Sequence, residues 1–192
     1  MRFIDRVLQR WRENVARPWV RPGDRVLDVG CHQGEFLDRM GDQIGPSVGL
    51  DPLAAPRDDG KVKLRAETFS RPNDLPDGGF DAVVMLAVLE HVSDKDPLAE
   101  EFFRVLAPAG RVIITVPSPR VDAIIHTLVR VGAADGMSLD EHHGFRPEDV
   151  PPLFTRHGFE LERHRRFQLG LNHLFVFCKP VSPAAGSPAT GR

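Results

Sequence analysis

The chain has 192 residues, of which 41% are hydrophobic, and its formal net charge is −2. This length suits one domain with a substantial core, and the near-neutral charge gives no general attraction to nucleic acid. No apolar run of membrane-spanning length and no secretory leader occur, and Cys31 and Cys178 lack metal-binding spacing, so we expect a cytoplasmic protein with reduced thiols.

The first residues predict a basic amphipathic helix. Apolar side chains recur at helical spacing and arginines surround them: Ile4, Val7, Leu8, Trp11 and Val15. We expect this apolar face to cover the edge of the core. The alternative is a peripheral contact between this helix and an anionic membrane surface.

Seven strand-like runs follow, alternating with helical patterns. They are residues 25–30, 47–51, 61–67, 80–88, 111–117, 159–167 and 171–179. Alternation with helices indicates a parallel sheet, whereas the short link between the last two runs permits only an antiparallel hairpin. The sequence therefore predicts an α/β, Rossmann-like, mostly parallel seven-stranded sheet with helices on both faces and a C-terminal antiparallel hairpin.

Helices and chain organisation complete this prediction. Helical patterns occupy residues 35–41, ending on Gly41, and residues 93–110, 122–132 and 147–158. We expect three parts: the amphipathic helix in residues 1–20, the main domain in residues 21–180, and a disordered tail in residues 181–192.

The stretch VLDVGCHQGEFL, residues 26–37, places a glycine turn between a strand and a helix. Gly30 and Gly34 do not match the GxGxxG spacing of dinucleotide-binding turns, and His32 takes the space that a pyrophosphate needs. Asp51, about 20 residues further on, is placed to accept hydrogen bonds from ribose hydroxyls. This combination favours a nucleoside without phosphates, and S-adenosylmethionine is such a ligand.

Four motifs in order resemble those of class I S-adenosylmethionine-dependent methyltransferases. They are VLDVGCHQGEFL, GLDP (49–52), FDAVVMLAVLEHV (80–92) and FFRVLAPAGRVIITVPSP (102–119). The resemblance extends from about residue 24 to 180 and is greatest to small-molecule O-methyltransferases of the ubiquinone-biosynthesis type. It implies S-adenosylmethionine as cofactor and a small molecule as methyl acceptor. The basic N-terminal segment suggests that this acceptor is lipid- or glycan-linked.

The resemblance also implies a set of cofactor-binding positions. They are Asp28, Gly30, Cys31, Gly34, Asp51, Pro52, Glu67, Leu86 and Ala87. Asp28 and the two glycines would line the methionine end, with backbone N–H groups at the helix start near its carboxylate. Asp51 would hold the ribose, and Glu67 would meet the adenine. The alternative is that these residues only form turns and strand ends.

Three histidines are candidate catalytic bases for a hydroxyl acceptor: His91, His142 and His143. His91 follows the fourth predicted strand, and the alternative for it is structural support. The adjacent pair lies in DEHH, where a polar loop is the alternative; a metal site is disfavoured because adjacent residues rarely converge on one ion.

The residues also bear on two other functions. A nicotinamide-dependent reductase is disfavoured by the glycine spacing and by the lack of tyrosine. A non-catalytic S-adenosylmethionine-binding or interaction module remains open. The motifs specify no oligomeric state, and no signature of nucleic-acid base methylation occurs.

Overall fold

The computed structural model describes residues 3–118 and 146–181 of the chain. The helices are α1 (Phe3–Ala16), α2 (Glu35–Met40), α3 (Lys95–Val105) and α4 (Val150–Arg156). The strands are β1 (Val26–Val29), β2 (Ser47–Leu50), β3 (Arg57–Asp58), β4 (Val62–Arg65), β5 (Phe80–Leu86), β6 (Leu106–Pro117), β7 (Glu160–Phe167) and β8 (Asn172–Cys178). None of the helices in these two ranges is long and apolar enough to cross a bilayer.

The strands form one sheet in the order β3-β4-β2-β1-β5-β6-β8-β7. From β4 to β6 the neighbours are parallel, and β8 and β7 close the sheet as an antiparallel hairpin. The α/β class, the mostly parallel sheet and the C-terminal hairpin are thereby confirmed. The carboxyl ends of β1, β2, β4 and β5 meet at one edge, which is where open α/β sheets bind ligands.

The sheet has one strand more than the seven predicted. In this extra strand, β3, Arg57 pairs with Leu64 and Asp58 pairs with Lys63 of β4. Both β3 residues are charged and exposed, so the sequence has no apolar alternation there that would indicate a strand. The pairing arises because the chain turns back along the open edge of β4.

Helices cover both faces of the sheet. On one face, α3 and α4 contribute Phe102 and Phe154, whose ring centroids lie 6.4 Å apart, and Phe154 stacks on Phe177 of β8 at 4.8 Å. On the other face, α2 buries Leu37 and Met40. These two apolar layers hold the strand ends rigidly beneath the candidate site.

The helix boundaries differ modestly from the predictions. The last residue of α2 is Met40, and Gly41 caps the helix as expected, with a positive φ of 52°. α3 ends earlier than the predicted stop at Gly110, because Leu106 already pairs with Phe80 in the sheet. The helix predicted at residues 122–132 and the tail after residue 181 lie outside the described residues.

The orientation of α1 corrects one expectation. Val7 and Trp11, on the apolar face expected to cover the core, are each 44% exposed, and Leu8 and Val15 are only half-buried. The residues that α1 buries instead are Ala16 and the charged Glu13. The helix is also tied to the hairpin, because Gln168 Nε2 donates to the Leu8 carbonyl at 3.0 Å. The side of α1 that turns inward therefore mixes the polar Glu13 with Ala16, and Val15 packs against the same core.

Candidate cofactor site

The glycine turn between β1 and α2 is tied to the end of β2. The Gly30 and Cys31 N–H groups both donate to the Leu50 carbonyl, at 2.8 and 3.3 Å. Gln33 reaches the loop after β2, where its Nε2 donates to the Leu53 carbonyl at 2.8 Å. These bonds fix the turn relative to the neighbouring strand end.

Asp51 organises this junction with both carboxylate oxygens. Its Oδ2 accepts from the His32 N–H at 2.9 Å, and its Oδ1 accepts from the Leu53 N–H at 2.8 Å. A carboxylate has about four lone-pair positions, so each oxygen can still accept another hydrogen bond. Asp51 is only partly buried, and the geometry leaves it able to bind a diol.

The backbone N–H groups of residues 30–34 are engaged inside the protein. Besides the bonds to Leu50 and Asp51, the Gln33 N–H donates to Glu35 Oε2 at 3.1 Å, and the Gly34 N–H donates to the Cys31 carbonyl at 2.8 Å. A ligand carboxylate at this turn would therefore have to meet the N–H groups at the start of α2, and this contact stays a prediction.

His32 occupies the middle of the turn without changing its backbone. Its φ is +51°, a left-handed conformation that glycine adopts at lower cost. The imidazole points to the exposed side, where Nδ1 lies 2.9 Å from Glu35 Oε1. Burial is the largest single influence on Glu35 and opposes its ionisation, but the hydrogen bond and charge of His32 and the backbone hydrogen bonds together lower the pKa of that carboxyl.

The two glycines of the turn serve close packing. A Cβ on Gly30 would lie 2.3 Å from Val88 Cγ2, and one on Gly34 would lie 2.8 Å from Leu64 Cδ1. The first contact brings the segment after β5 against the turn. Leu86 and Ala87 are half-buried there, and Ala87 has a φ of +57° with its N–H bonded to the Thr115 carbonyl.

Asp28 lies beneath the turn and is almost fully buried. Within the described part of the chain, its Oδ2 has no hydrogen-bond partner. Burial, and then the carboxylates of Glu13, Glu35 and Asp51 in that order, raise the pKa of Asp28 to about 8. Asp28 is therefore largely protonated near pH 7 in the ligand-free chain, and a cation bound beside it would favour its ionised form.

Three other predicted cofactor residues are placed less favourably. The Cys31 thiol packs inward against Gly49, and burial raises its pKa to about 12, so only the backbone of this residue can face a ligand. Pro52 is exposed in the loop after β2. Glu67 is exposed too, and both of its oxygens bind Arg65, at 3.0 and 2.7 Å.

Of the three candidate bases, only His91 lies in the described residues. His91 is exposed in a short helix, Leu89–His91, which follows β5, and its N–H donates to the Val88 carbonyl at 3.0 Å. The backbone contact places it beside the segment that packs on the glycine turn. His142 and His143 lie outside the described residues.

Sequence reasoning missed two features of this edge. The first is Glu13 of α1, a charged residue that is buried and pairs with Arg39 of α2. The second is a pair of imidazoles on the hairpin, with His164 Nε2 2.9 Å from His173 Nδ1. Burial, and then the partner ring of His164 and the nearby Arg166, lower the pKa of His173. Nothing in the strand pattern of the hairpin signals this pairing.

Comparison with known proteins adds independent information. A model of the methyltransferase-domain family matches residues 2–166. The chain is 32% identical, over 165 residues, to 27-O-demethylrifamycin SV methyltransferase of Amycolatopsis mediterranei, covering 71% of this chain and 60% of that protein. It is 27% identical, over 155 residues, to a ubiquinone biosynthesis O-methyltransferase of Nitrosococcus oceani, covering 73% and 65%.

The fold has close structural counterparts. The chain superposes on the crystal structure of a SAM-dependent methyltransferase from Methanosarcina mazei with a TM-score of 0.64 and 21% identity, covering 88% of this chain and 98% of that one. The two curated relatives are longer, and the chain spans 60% and 65% of their lengths.

Proposed function

Because this chain belongs to the S-adenosylmethionine-dependent methyltransferase family, we propose that it transfers the methyl group of S-adenosylmethionine to an oxygen of a small-molecule acceptor. The observation that carries the proposal is the buried Asp28, with its unpaired Oδ2, beside Asp51 at the carboxyl edge of the sheet. Burial keeps this carboxyl largely neutral near pH 7, and a cationic ligand would offset the cost of ionising it. The acidic site fits a sulfonium nucleoside and disfavours a dinucleotide.

The residues divide into roles along the cofactor. Asp51 would accept hydrogen bonds from the ribose hydroxyls, and Asp28 would face the cationic methionine end together with Gly30 and Gly34. Glu67 would reach the adenine only by giving up part of its pairing with Arg65. The cofactor itself supplies a strongly activated methyl group, so the protein chiefly has to position the acceptor and exclude water.

A hydroxyl acceptor gains nucleophilicity when a base removes its proton. We propose His91 as the first base to test, since it follows β5 next to the glycine turn, and His142 and His143 as the alternatives on the acceptor side. His91→Gln keeps the size of the side chain and removes the basic nitrogen. If His91 is the base, this variant lowers kcat and changes the pH profile without weakening cofactor binding.

The first experiment is isothermal titration of the purified chain with S-adenosylmethionine, S-adenosylhomocysteine and NADH. Binding of both sulfur nucleosides without NADH supports the proposal, whereas NADH binding alone would overturn it. An acceptor screen then separates an enzyme from the alternative, a non-catalytic cofactor-binding module. Methyl transfer to any hydroxylated small molecule excludes that alternative. Tight cofactor binding without turnover across the screen would favour it.

The proposal includes a peripheral membrane contact through α1 and a cytoplasmic location. Val7 and Trp11 are exposed on α1 beside the exposed Arg6 and Arg10, and Leu169, on the hairpin turn tied to this helix, is 97% exposed. Exposed apolar side chains flanked by arginines fit the surface of an anionic bilayer. The free thiols Cys31 and Cys178 are compatible with a reducing compartment.

Vesicle co-sedimentation tests this contact. We expect the chain to sediment with phosphatidylserine vesicles and not with purely zwitterionic ones, and Trp11→Glu to reduce sedimentation strongly. Leu161→Glu is the matched control, because Leu161 is also exposed but lies at the opposite end of β7. Equal sedimentation of all three proteins would argue against a contact through α1.

A further inference from the structure

Arg65 ends β4 at the edge of the sheet that carries the candidate site. β2 and β4 are parallel neighbours in which Leu50 pairs with Arg65, and the Asp51 N–H donates to the Arg65 carbonyl at 3.2 Å. The glycine turn follows β1, which lies on the other side of β2. Neighbouring strands are about 5 Å apart, so the turn, Asp51 and Arg65 form a row along this edge.

This row determines which strand end the base of a bound cofactor meets. In the proposed function the methionine end lies at the glycine turn and Asp51 holds the ribose. The base is attached to the opposite side of the ribose, so it extends beyond the end of β2. The next strand end in that direction belongs to β4, whose last residue is Arg65. An arginine side chain donates hydrogen bonds and accepts none.

Two carboxylates hold the Arg65 guanidinium in place. Its Nε donates to Glu67 Oε1 at 3.0 Å, one terminal nitrogen lies 2.7 Å from Glu67 Oε2, and the other donates to Asp74 Oδ1 at 2.8 Å. The hydrogen bond with Asp74 is the main reason that the pKa of Arg65 is raised, and it also lowers the pKa of Asp74. The Arg65 side chain is 22% exposed, against 51% for Glu67 and 73% for Asp74, so the arginine is the most enclosed of the three.

The guanidinium keeps donors for a ligand while it is held. Its contacts with Glu67 and Asp74 use the Nε–H and one N–H of each terminal nitrogen, so the second N–H of each terminal nitrogen remains. A purine base presents unprotonated ring nitrogens, which accept hydrogen bonds from arginine. Glu67 would have to leave part of its pairing to reach the base, whereas Arg65 would not.

We propose that Arg65 is a specificity-determining residue that donates hydrogen bonds to the ring nitrogens of the cofactor base, and that Glu67 and Asp74 are positioning residues for Arg65. This inference rests on the proposed function and deepens it, because it names how the base is recognised. A side chain that only donates cannot accept a hydrogen bond from the 6-amino group of adenine. The 6-amino group therefore contributes little to affinity.

Two ligands that differ only in this amino group test the inference. They are S-adenosylhomocysteine and its 6-desamino analogue, whose purine keeps all its ring nitrogens. Isothermal titration of the full wild-type chain is expected to give affinities within about threefold of each other, whereas a carboxylate that accepted from the amino group would make the analogue weaker by about tenfold or more. A loss beyond threefold in the analogue would overturn the inference.

Arg65→Met removes the donors and keeps an unbranched side chain. We expect it to weaken both ligands by equal factors of about tenfold or more, because hydrogen bonds from a charged donor are among the stronger ones. Lys63→Met is the matched control, since it removes one positive charge from the same strand, where Lys63 pairs with Asp58 at 3.4 Å. The control should leave both affinities unchanged. Unchanged affinities in Arg65→Met would overturn the inference.

Glu67→Gln separates the two possible roles of Glu67. If Glu67 positions Arg65, this variant weakens both ligands by the same factor, which is smaller than in Arg65→Met. If Glu67 instead accepts from the 6-amino group, the variant weakens S-adenosylhomocysteine and not the analogue, and the inference fails. Thermal melting without ligand shows whether each variant folds, and the comparison of the two ligands on the wild type needs no variant. Wild-type chain that binds neither S-adenosylmethionine nor S-adenosylhomocysteine would instead contradict the proposed function.

Discussion

The His32 N–H donates to Asp51 Oδ2 at 2.9 Å, so the centre of the glycine turn is fastened to the carboxylate that ends β2. The same carboxylate accepts from the Leu53 N–H at 2.8 Å. Asp51 is therefore a structural clamp as well as the expected ribose ligand. A test of its ligand role has to separate these two contributions.

Asp51→Ala is expected to weaken S-adenosylmethionine and S-adenosylhomocysteine by similar factors of about tenfold or more, because both carry the ribose. Asp59→Ala is the control. Asp59 also accepts two backbone N–H groups, from Lys61 at 3.0 Å and Val62 at 2.7 Å, but lies in the β3–β4 turn. Isothermal titration and thermal melting should show similar destabilisation of the two variants and a binding loss only in Asp51→Ala. Equal affinities of both variants would refute the ribose role.

His32 should be replaceable by glycine. The left-handed conformation costs a non-glycine residue about 1 kcal/mol, and loss of the half-exposed pair with Glu35 costs about 0 to 1 kcal/mol. We expect His32→Gly to change the free energy of unfolding by less than about 1 kcal/mol and cofactor affinity by less than about threefold. His32→Val should destabilise by about 2 kcal/mol, because a β-branched side chain is strained there. Loss of binding in His32→Gly would mean that the imidazole contacts the cofactor.

Gly30 should tolerate no side chain. Gly30→Ala adds a Cβ 2.3 Å from Val88 Cγ2 at a φ of +79°, and we expect a loss of about 2 to 4 kcal/mol in chemical denaturation. Gly23→Ala isolates the backbone cost, since its φ is +86° and no atom lies within 4 Å of its Cβ, so a loss of about 1 kcal/mol is expected. Combining Gly30→Ala with Val88→Ala should restore part of the stability, because it removes the clash with Val88 Cγ2. If no stability is recovered, the whole loss in Gly30→Ala comes from the strained backbone conformation.

Asp28→Asn should stabilise the ligand-free chain and abolish tight cofactor binding. The carboxyl titrates near pH 8 in the folded protein and near pH 4 when unfolded, so its contribution to stability is complete at low pH and is lost as pH rises from about 4 to about 8. The free energy of unfolding of the variant should exceed that of the wild type by a margin that grows across this range and reaches about 2 kcal/mol or more at pH 8. Above that pH the difference should level off. Melting curves at several pH values measure the difference. A pH-independent difference would show that Asp28 is not buried as a neutral acid.

The sequence by itself determined the frame of this protein. Continuous apolar runs such as residues 80–88 and the short link before Asn172 specify buried parallel strands and a terminal hairpin, because side-chain periodicity and loop length act locally. The glycine spacing and Asp51 indicated the cofactor class for the same reason. β3 escaped prediction, since two charged residues carry no periodic signal and their pairing depends on the free edge of β4.

Tertiary structure alone decided which face of α1 turns inward. Periodicity shows that Val7 and Trp11 share a face, but burial depends on what the rest of the fold presents, and here α2 presents Arg39, which pairs with the buried Glu13. It also decided that the turn's N–H groups bond to Leu50, Asp51 and their neighbours and that the Cys31 thiol packs on Gly49. These outcomes are set by contacts between segments far apart in the chain, and no local pattern records them.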